Sequence, residues 1–183
     1  HAGNFPLDSS MLELVVQGAY STEWFVVGEQ PSAAIRTLLL EKINNGVKFF
    51  SYIGHGNVNG LAGGSLLSRD DVAVLTNRAS PMFLGGMTCY MNTYGFPGFD
   101  GLGEMLVASA DGGAAAVWGA SAQSKNNVAV FLGNKLFDAL FNGKVERIGD
   151  GLIKAYQELA AVNGGRAQTG MYNLFGDPAM IFR

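Results

Sequence analysis

His55 lies in Tyr52-Ile-Gly-His55-Gly56, and Cys89, the only cysteine of the 183 residues, closes the run Met82-Phe-Leu-Gly-Gly-Met-Thr-Cys89. An imidazole beside a thiol is the pairing that activates sulfur for attack on a carbonyl carbon. A free thiol with a pKa of about 8.5 is mostly protonated at neutral pH, so a base or cation must stand close to it. Tetrahedral intermediates also need donors for their oxyanion. The backbone N–H groups of Gly56 and of Cys89 are suitably placed, and glycine at 56 lets the chain approach a substrate without a Cβ in the way.

Each of these two residues follows an apolar run that reads as a buried strand, Val47–Ile53 before His55 and Pro81–Met87 before Cys89. Both therefore emerge at strand carboxyl ends, the edge at which open parallel sheets handle ligands. If the two strands are neighbours, His55 and Cys89 stand one or two strand spacings apart, about 5–10 Å. Around them Pro31–Gly46 has helical punctuation, with proline in the first turn, Ile35, Leu38, Leu39 and Ile43 on one face, and Asn45-Gly46 as a stop. Ser68 caps a short helix through Leu75, Gly101–Ala110 reads as a helix, and Gly113–Trp118 reads as a third buried strand. Helices follow at Asn127–Phe141 and Glu146–Val162. Met11–Val16 reads as a short strand, and Tyr172–Phe182 as a turn leading into a last strand. Alternating strands and helices predict one α/β domain with a mainly parallel sheet and helices on both faces.

Composition narrows the function further. Hydrophobic residues make up 48% and charged residues 15% of the chain, which fits a packed body rather than a disordered one. The formal net charge is −3 and the basic residues are scattered, so nucleic acid is not expected as a partner. No apolar run approaches the roughly 20 residues that a membrane helix needs. One cysteine excludes an internal disulfide and, with two histidines, a Cys/His zinc cluster. Asp70 and Asp71 are adjacent on a helix and point apart, which argues against a shared metal. His1 rather than methionine opens the sequence, so it reads as a processed product or a piece of a longer chain.

Several blocks, in order, resemble the gingipain-like cysteine peptidases, peptidase family C25 of the caspase-like clan. They are Asn44-Asn-Gly46, Tyr52-Ile-Gly-His55-Gly56, Leu75-Thr-Asn77, Thr88-Cys89, Gly103-Glu104-Met-Leu, Gly112-Gly113-Ala, Gly119-Ala-Ser121 and Tyr172-Asn-Leu-Phe-Gly176-Asp177-Pro178. The resemblance runs from about residue 35 to the end, and its most specific part is the closing Asn-Leu-Phe-Gly-Asp-Pro. It implies a caspase-like three-layer sandwich over residues 1–183 that lacks its amino-terminal strands. It implies a cysteine endopeptidase working through an acyl-enzyme, with Cys89 as nucleophile, His55 as acid and base, and Gly56 and Cys89 as oxyanion donors. It also implies that the stretch Trp118-Gly-Ala120-Ser121-Ala-Gln123-Ser124, with Trp118, Ala120, Ser121 and Gln123 foremost, lines the pocket for the residue before the scissile bond. The best-known members cut after Arg or Lys; Asp100, Asp111 or a residue outside this chain would be the carboxylate that such a pocket needs.

No cofactor is expected for the chemistry, and a structural calcium has no motif here. Expected partners are a peptide or protein substrate and the missing amino-terminal part of the chain's own precursor. The implied setting is prokaryotic, extracellular or at the cell surface. The chain departs from the family in lacking a tryptophan soon after the His-Gly block and in the spacing of the loop after Cys89. The carboxylate that orients the histidine in some members falls near or before residue 1, leaving Asp8 and Glu13 as substitutes. These departures keep a second class open, a caspase-like surface or assembly module without turnover.

Other signals have plainer explanations. Gly54–Gly60 has the wrong spacing and no helix for a dinucleotide loop. Gly119-Ala-Ser121-Ala-Gln123 lacks the last glycine of a serine-hydrolase elbow. Glu104 suits a helix cap, Asp177 a turn, and Trp118 with Phe49, Phe50, Phe83, Phe131 and Phe137 a core.

Overall fold

Four strands make the central sheet, in the order β1, β5, β6, β7, and the computed structural model describes residues 4–16, 18, 20–142, 145–162 and 165–182. His1 lies outside them. Strand β1 (Phe49–Ile53) pairs in parallel with β5 (Met82–Met87), and β5 pairs in parallel with β6 (Ala114–Ala120). The edge strand β7 (Tyr172–Gly176) runs antiparallel to β6. Between β1 and β5 the chain makes a second sheet of two-residue strands, β2 (Gly56–Asn57), β3 (Gly60–Leu61) and β4 (Leu67–Ser68).

Every residue of β5 is buried, as expected for a strand covered on both faces. Phe83 and Met87 point to one face, where they join Trp118, Ala120, Leu132, Leu136, Phe137 and Leu152. That layer is built by α1 (Phe5–Val16), α4 (Asn126–Phe141) and α5 (Ile148–Ala160). Met82 and Leu84 point to the other face, against Ile35, Leu39, Ile43, Val72, Leu102 and Leu106. There α2 (Ser32–Asn44) and α3 (Leu102–Ala108) pack, together with a 3₁₀ turn at Arg69–Val74. A short α6 (Arg166–Thr169) leads into β7. The result is a three-layer sandwich with a mainly parallel sheet, in agreement with the expected class.

Three expectations about individual elements are corrected. Met11–Val16 is no strand but the second half of α1: the Asn4 side chain accepts the Leu7 N–H at 3.3 Å, Pro6 and Asp8 occupy the first turn, and Leu12 and Val16 form the buried stripe. The helix expected over Glu146–Val162 is shorter, Ile148–Ala160. The closing segment is reversed, since Tyr172–Gly176 is the strand and the Asp177 turn follows it, leaving Ile181 a single bridge to Arg147. Asp177 Oδ1 accepts the Ala179 N–H at 2.8 Å, and Glu104 Oε2 accepts the Gly101 N–H at 2.8 Å, so both acids serve turns and caps. Asp71 is occupied by Arg36 and by the Ser68 N–H and hydroxyl, while Asp70 faces solvent.

Buried polar side chains hold the strands where they enter the sheet. Asn77, 3% exposed, donates through Nδ2 to the carbonyl of Gly113 at 2.9 Å and accepts the Gly113 N–H through Oδ1 at 2.7 Å. It mimics a neighbouring strand and fixes the start of β6 against the start of β5. Replacing Asn77 by Ala leaves the Gly113 N–H buried without a partner and its carbonyl with only the Met82 N–H at 3.3 Å, so it is expected to cost about 1–3 kcal/mol in chemical denaturation while the circular dichroism spectrum stays the same.

Candidate active site

Ile53 lies opposite Met87 as the last pair of the β1–β5 ladder, and Gly54 continues it by donating to the Met87 carbonyl at 3.4 Å. His55 and Cys89 each follow two residues beyond that pair. They leave adjacent strands level with one another, at the carboxyl edge of the sheet. Both line one open cavity of about 800 Å³, walled also by Phe5, Gly54, Met87, Thr88 and the Gln123–Asn127 segment with Ala129.

The His55 loop is held from below by Tyr52. Its buried hydroxyl donates to the His55 carbonyl at 2.9 Å and accepts the Ala62 N–H at 3.1 Å, while Ala62 also donates to the His55 carbonyl at 2.8 Å. Glycine at 54 is a steric requirement of this arrangement, because a Cβ there would stand 2.5 Å from the Tyr52 hydroxyl. Burial pushes the Tyr52 phenol up to about 12, only partly opposed by the Ala62 hydrogen bond. Glycine at 56 is required for a different reason: a Cβ would meet the Thr88 hydroxyl and the Cys89 carbonyl. The histidine loop and the cysteine loop therefore touch backbone to backbone.

Past Cys89 the chain turns sharply, with Tyr90 at φ +58°, a left-handed conformation that bulky residues rarely adopt. Tyr90 is held there by its N–H on the Ala122 carbonyl at 3.2 Å and by the Thr93 hydroxyl on its own carbonyl at 2.8 Å. The turn leaves Cys89 partly exposed. Its Sγ accepts the Ser124 N–H at 3.3 Å and lies 3.5 Å from the Ser124 carbonyl. An N–H aimed at sulfur is an oriented dipole that supports negative charge there. The Ser124 hydroxyl in turn bonds the Tyr172 hydroxyl at 2.7 Å. Burial pushes the Tyr172 phenol well up, the bond to Ser124 opposes this, and the nearby Cys89 and Tyr156 add to it.

The remaining candidates are dispersed. Trp118 is completely buried, donating Nε1–H to the Tyr156 hydroxyl at 3.1 Å, with its ring 5.0 Å from that of Tyr172. Ala120 is also completely buried, and Ser121 bonds the Met171 carbonyl through both its N–H and its hydroxyl. Of those four only Gln123 reaches the cavity wall. Asp8 accepts from Asn126 at 2.9 Å and Glu13 from the Thr22 hydroxyl at 3.1 Å; neither bonds His55. Asp100 and Asp111 are exposed and lie away from the cavity. Ser124 lies in the expected pocket-lining stretch, whereas Tyr52 and Phe5 are additions to the expected site. Tyr52 has a signal in the sequence, its place in a strand three residues before His55, whereas Phe5 arrives from a remote segment.

A mostly parallel sheet between helices, with an imidazole and a thiol at its carboxyl edge, defines a caspase-like α/β domain. The chain belongs to peptidase family C25, whose model matches residues 7–183. Its fold is similar to a crystal structure of the Arg-specific cysteine proteinase gingipain R (RgpB), with a TM-score of 0.81 and 15% identity over 97% of this chain and 43% of that one. The complex of the Porphyromonas gingivalis RgpB pro- and mature domains gives 0.73 and 17% over the same shares. A structure described as a protease gives 0.64 and 20%, over 77% of this chain and 36% of that one. The chain thus spans less than half the length of these solved chains. No curated protein sequence matches it.

Tyr52→Phe removes the donor to His55 and is expected to cost about 1–2 kcal/mol at neutral pH. Because the folded phenol ionises later than the unfolded one, its contribution is complete below about pH 10 and is lost as pH rises toward 12. Two units correspond to a loss on the order of 2–3 kcal/mol between those limits. Urea denaturation at pH 8 and pH 11.5 measures it: the alkaline loss is smaller in Tyr52→Phe by that amount.

Proposed function

We propose that this chain carries the catalytic pair of a cysteine endopeptidase, with Cys89 as nucleophile and His55 as general acid and base. The observation that carries this reading is the register: both side chains stand two residues past the Ile53–Met87 pair and line the same cavity. Family membership supports the reaction class, and the sequence resemblance supports the two roles.

Cys89 Sγ gives up its proton to His55 and attacks the carbonyl carbon of a peptide bond, forming the C–S bond as the C=O electrons move onto oxygen. That oxyanion takes the N–H groups of Gly56 and Cys89; among the described residues the Cys89 N–H donates to no protein acceptor. Imidazolium at His55 then protonates the amide nitrogen, the C–N bond breaks, and the amine leaves behind a thioester. His55 removes a proton from water, which attacks the thioester, and the collapse of that intermediate expels the sulfur and releases the acid. No cofactor takes part in this scheme.

A peptide or protein is the substrate in this reading. The precursor's own amino-terminal part is a further partner, by analogy with the complex of pro- and mature domains in RgpB. An extracellular or cell-surface setting follows from the resemblance to gingipains. Among the described residues no helix is long and apolar enough to cross a membrane.

An alkylating peptidyl inhibitor applied to the full natural protein tests the assignment, with peptide mapping to locate the label. Labelling at Cys89, lost in Cys89→Ala, and a fall in turnover of about 10²–10⁴-fold in His55→Ala are expected. Absence of label at Cys89, or cleavage that survives Cys89→Ala, overturns the peptidase and leaves the non-catalytic scaffold.

A further inference from the structure

We propose that Phe5 is a positioning residue for His55, fixing the imidazole by ring contact. This inference rests on the peptidase reading for its kinetic consequence, though the contact itself does not. Phe5 lies outside the stretch matched by the family model.

The Phe5 ring meets the His55 ring edge to face, with centroids 5.1 Å apart and planes at 88°. The His55 side chain is otherwise exposed, and among the described residues its ring makes no hydrogen bond or ion pair. A catalytic imidazole is ordinarily oriented by a partner on its second nitrogen. Asp8 and Glu13 are spent on Asn126 and Thr22, so neither supplies one. Edge-to-face aromatic contact has a preferred geometry and restricts both the tilt and the side-to-side freedom of the ring it touches.

Phe5 is itself well fixed. It opens α1, where the Asn4 carbonyl accepts the Asp8 N–H at 2.9 Å and the Asn4 side chain accepts that of Leu7. One turn on, Asp8 ties the helix to Asn126 at the start of α4, and Leu12 and Val16 bury the remainder of that stripe. The ring thus reaches the cavity from a helix anchored on the same face as Met87. The cavity that His55 lines also holds Cys89 and Lys125, with Asp8 bonded to the lining Asn126. The effect assigned to Phe5 is orientation, not charge.

Phe5→Leu keeps an apolar side chain but removes the ring, and Phe5→Tyr keeps the ring. In the full natural protein, Phe5→Leu is expected to lower kcat about tenfold with KM changed less than about twofold, and Phe5→Tyr to restore most of it. Unchanged thermal midpoints separate this from loss of fold. Unchanged kcat in Phe5→Leu overturns the proposal, and a rise in kcat shows instead that α1 obstructs the cleft. A second measurement does not depend on turnover: in Cys89→Ala protein, the ring-proton resonances of His55, assigned with His55→Gln, should lose their ring-current shift in Phe5→Leu and keep it in Phe5→Tyr. Resonances that do not move overturn the contact. If Cys89 takes no label but these resonances move, the peptidase reading fails while the positioning of His55 by Phe5 stands.

Discussion

Ile53 lies opposite Met87, and each residue beyond that pair takes its height above the sheet from it. A parallel ladder allows no independent adjustment of its two strand ends, because slipping one by a residue turns every side chain to the opposite face. Phe83 and Met87 would then leave the layer of α4 and α5, and Met82 and Leu84 that of α2 and α3. The burial of β5 on both faces therefore secures the relation between an imidazole and a thiol that are 34 positions apart in the sequence (89 − 55). Chemistry at this edge depends first on packing in the core.

What the ladder fixes in height, hydrogen bonds and missing side chains fix in direction. Tyr52 ties down the histidine loop from within its own strand, and Ser124 meets the sulfur from the segment after β6. Gly54 makes space for a hydroxyl, and Gly56 lets one loop lie against the next. These two glycines act by what they lack. Asn77 performs the corresponding task at the opposite end of the strands, where it joins the start of β6 to the loop before β5.

Legibility in the sequence followed the range of the interactions. Helix α2 was readable because Pro31 and Asn45-Gly46 mark its ends and its apolar residues keep one period. Strands β1, β5 and β6 are readable as apolar runs, and two of them deliver His55 and Cys89 to one edge. Helix α1 was misread, because Met11–Val16 carries apolar residues on more than one side and its true signals, Asn4 and Pro6, lie further upstream. The direction of β7 was not readable either: Tyr172–Gly176 is fixed as a strand by its antiparallel pairing with β6, which no local pattern announces. Phe5 reaches His55 across 50 positions and the Ser124 N–H reaches the Cys89 sulfur across 35, and contacts at that separation exist only once the sheet has formed.

The solitary thiol has a redox consequence. Cys89 stands partly open to solvent, and the 183 residues contain no second cysteine. A sulfenic acid formed on it has no resolving partner within these residues with which to condense into a disulfide. Its recovery as a disulfide needs a thiol from outside these residues, failing which a further oxidant carries the sulfur irreversibly to the sulfinic state.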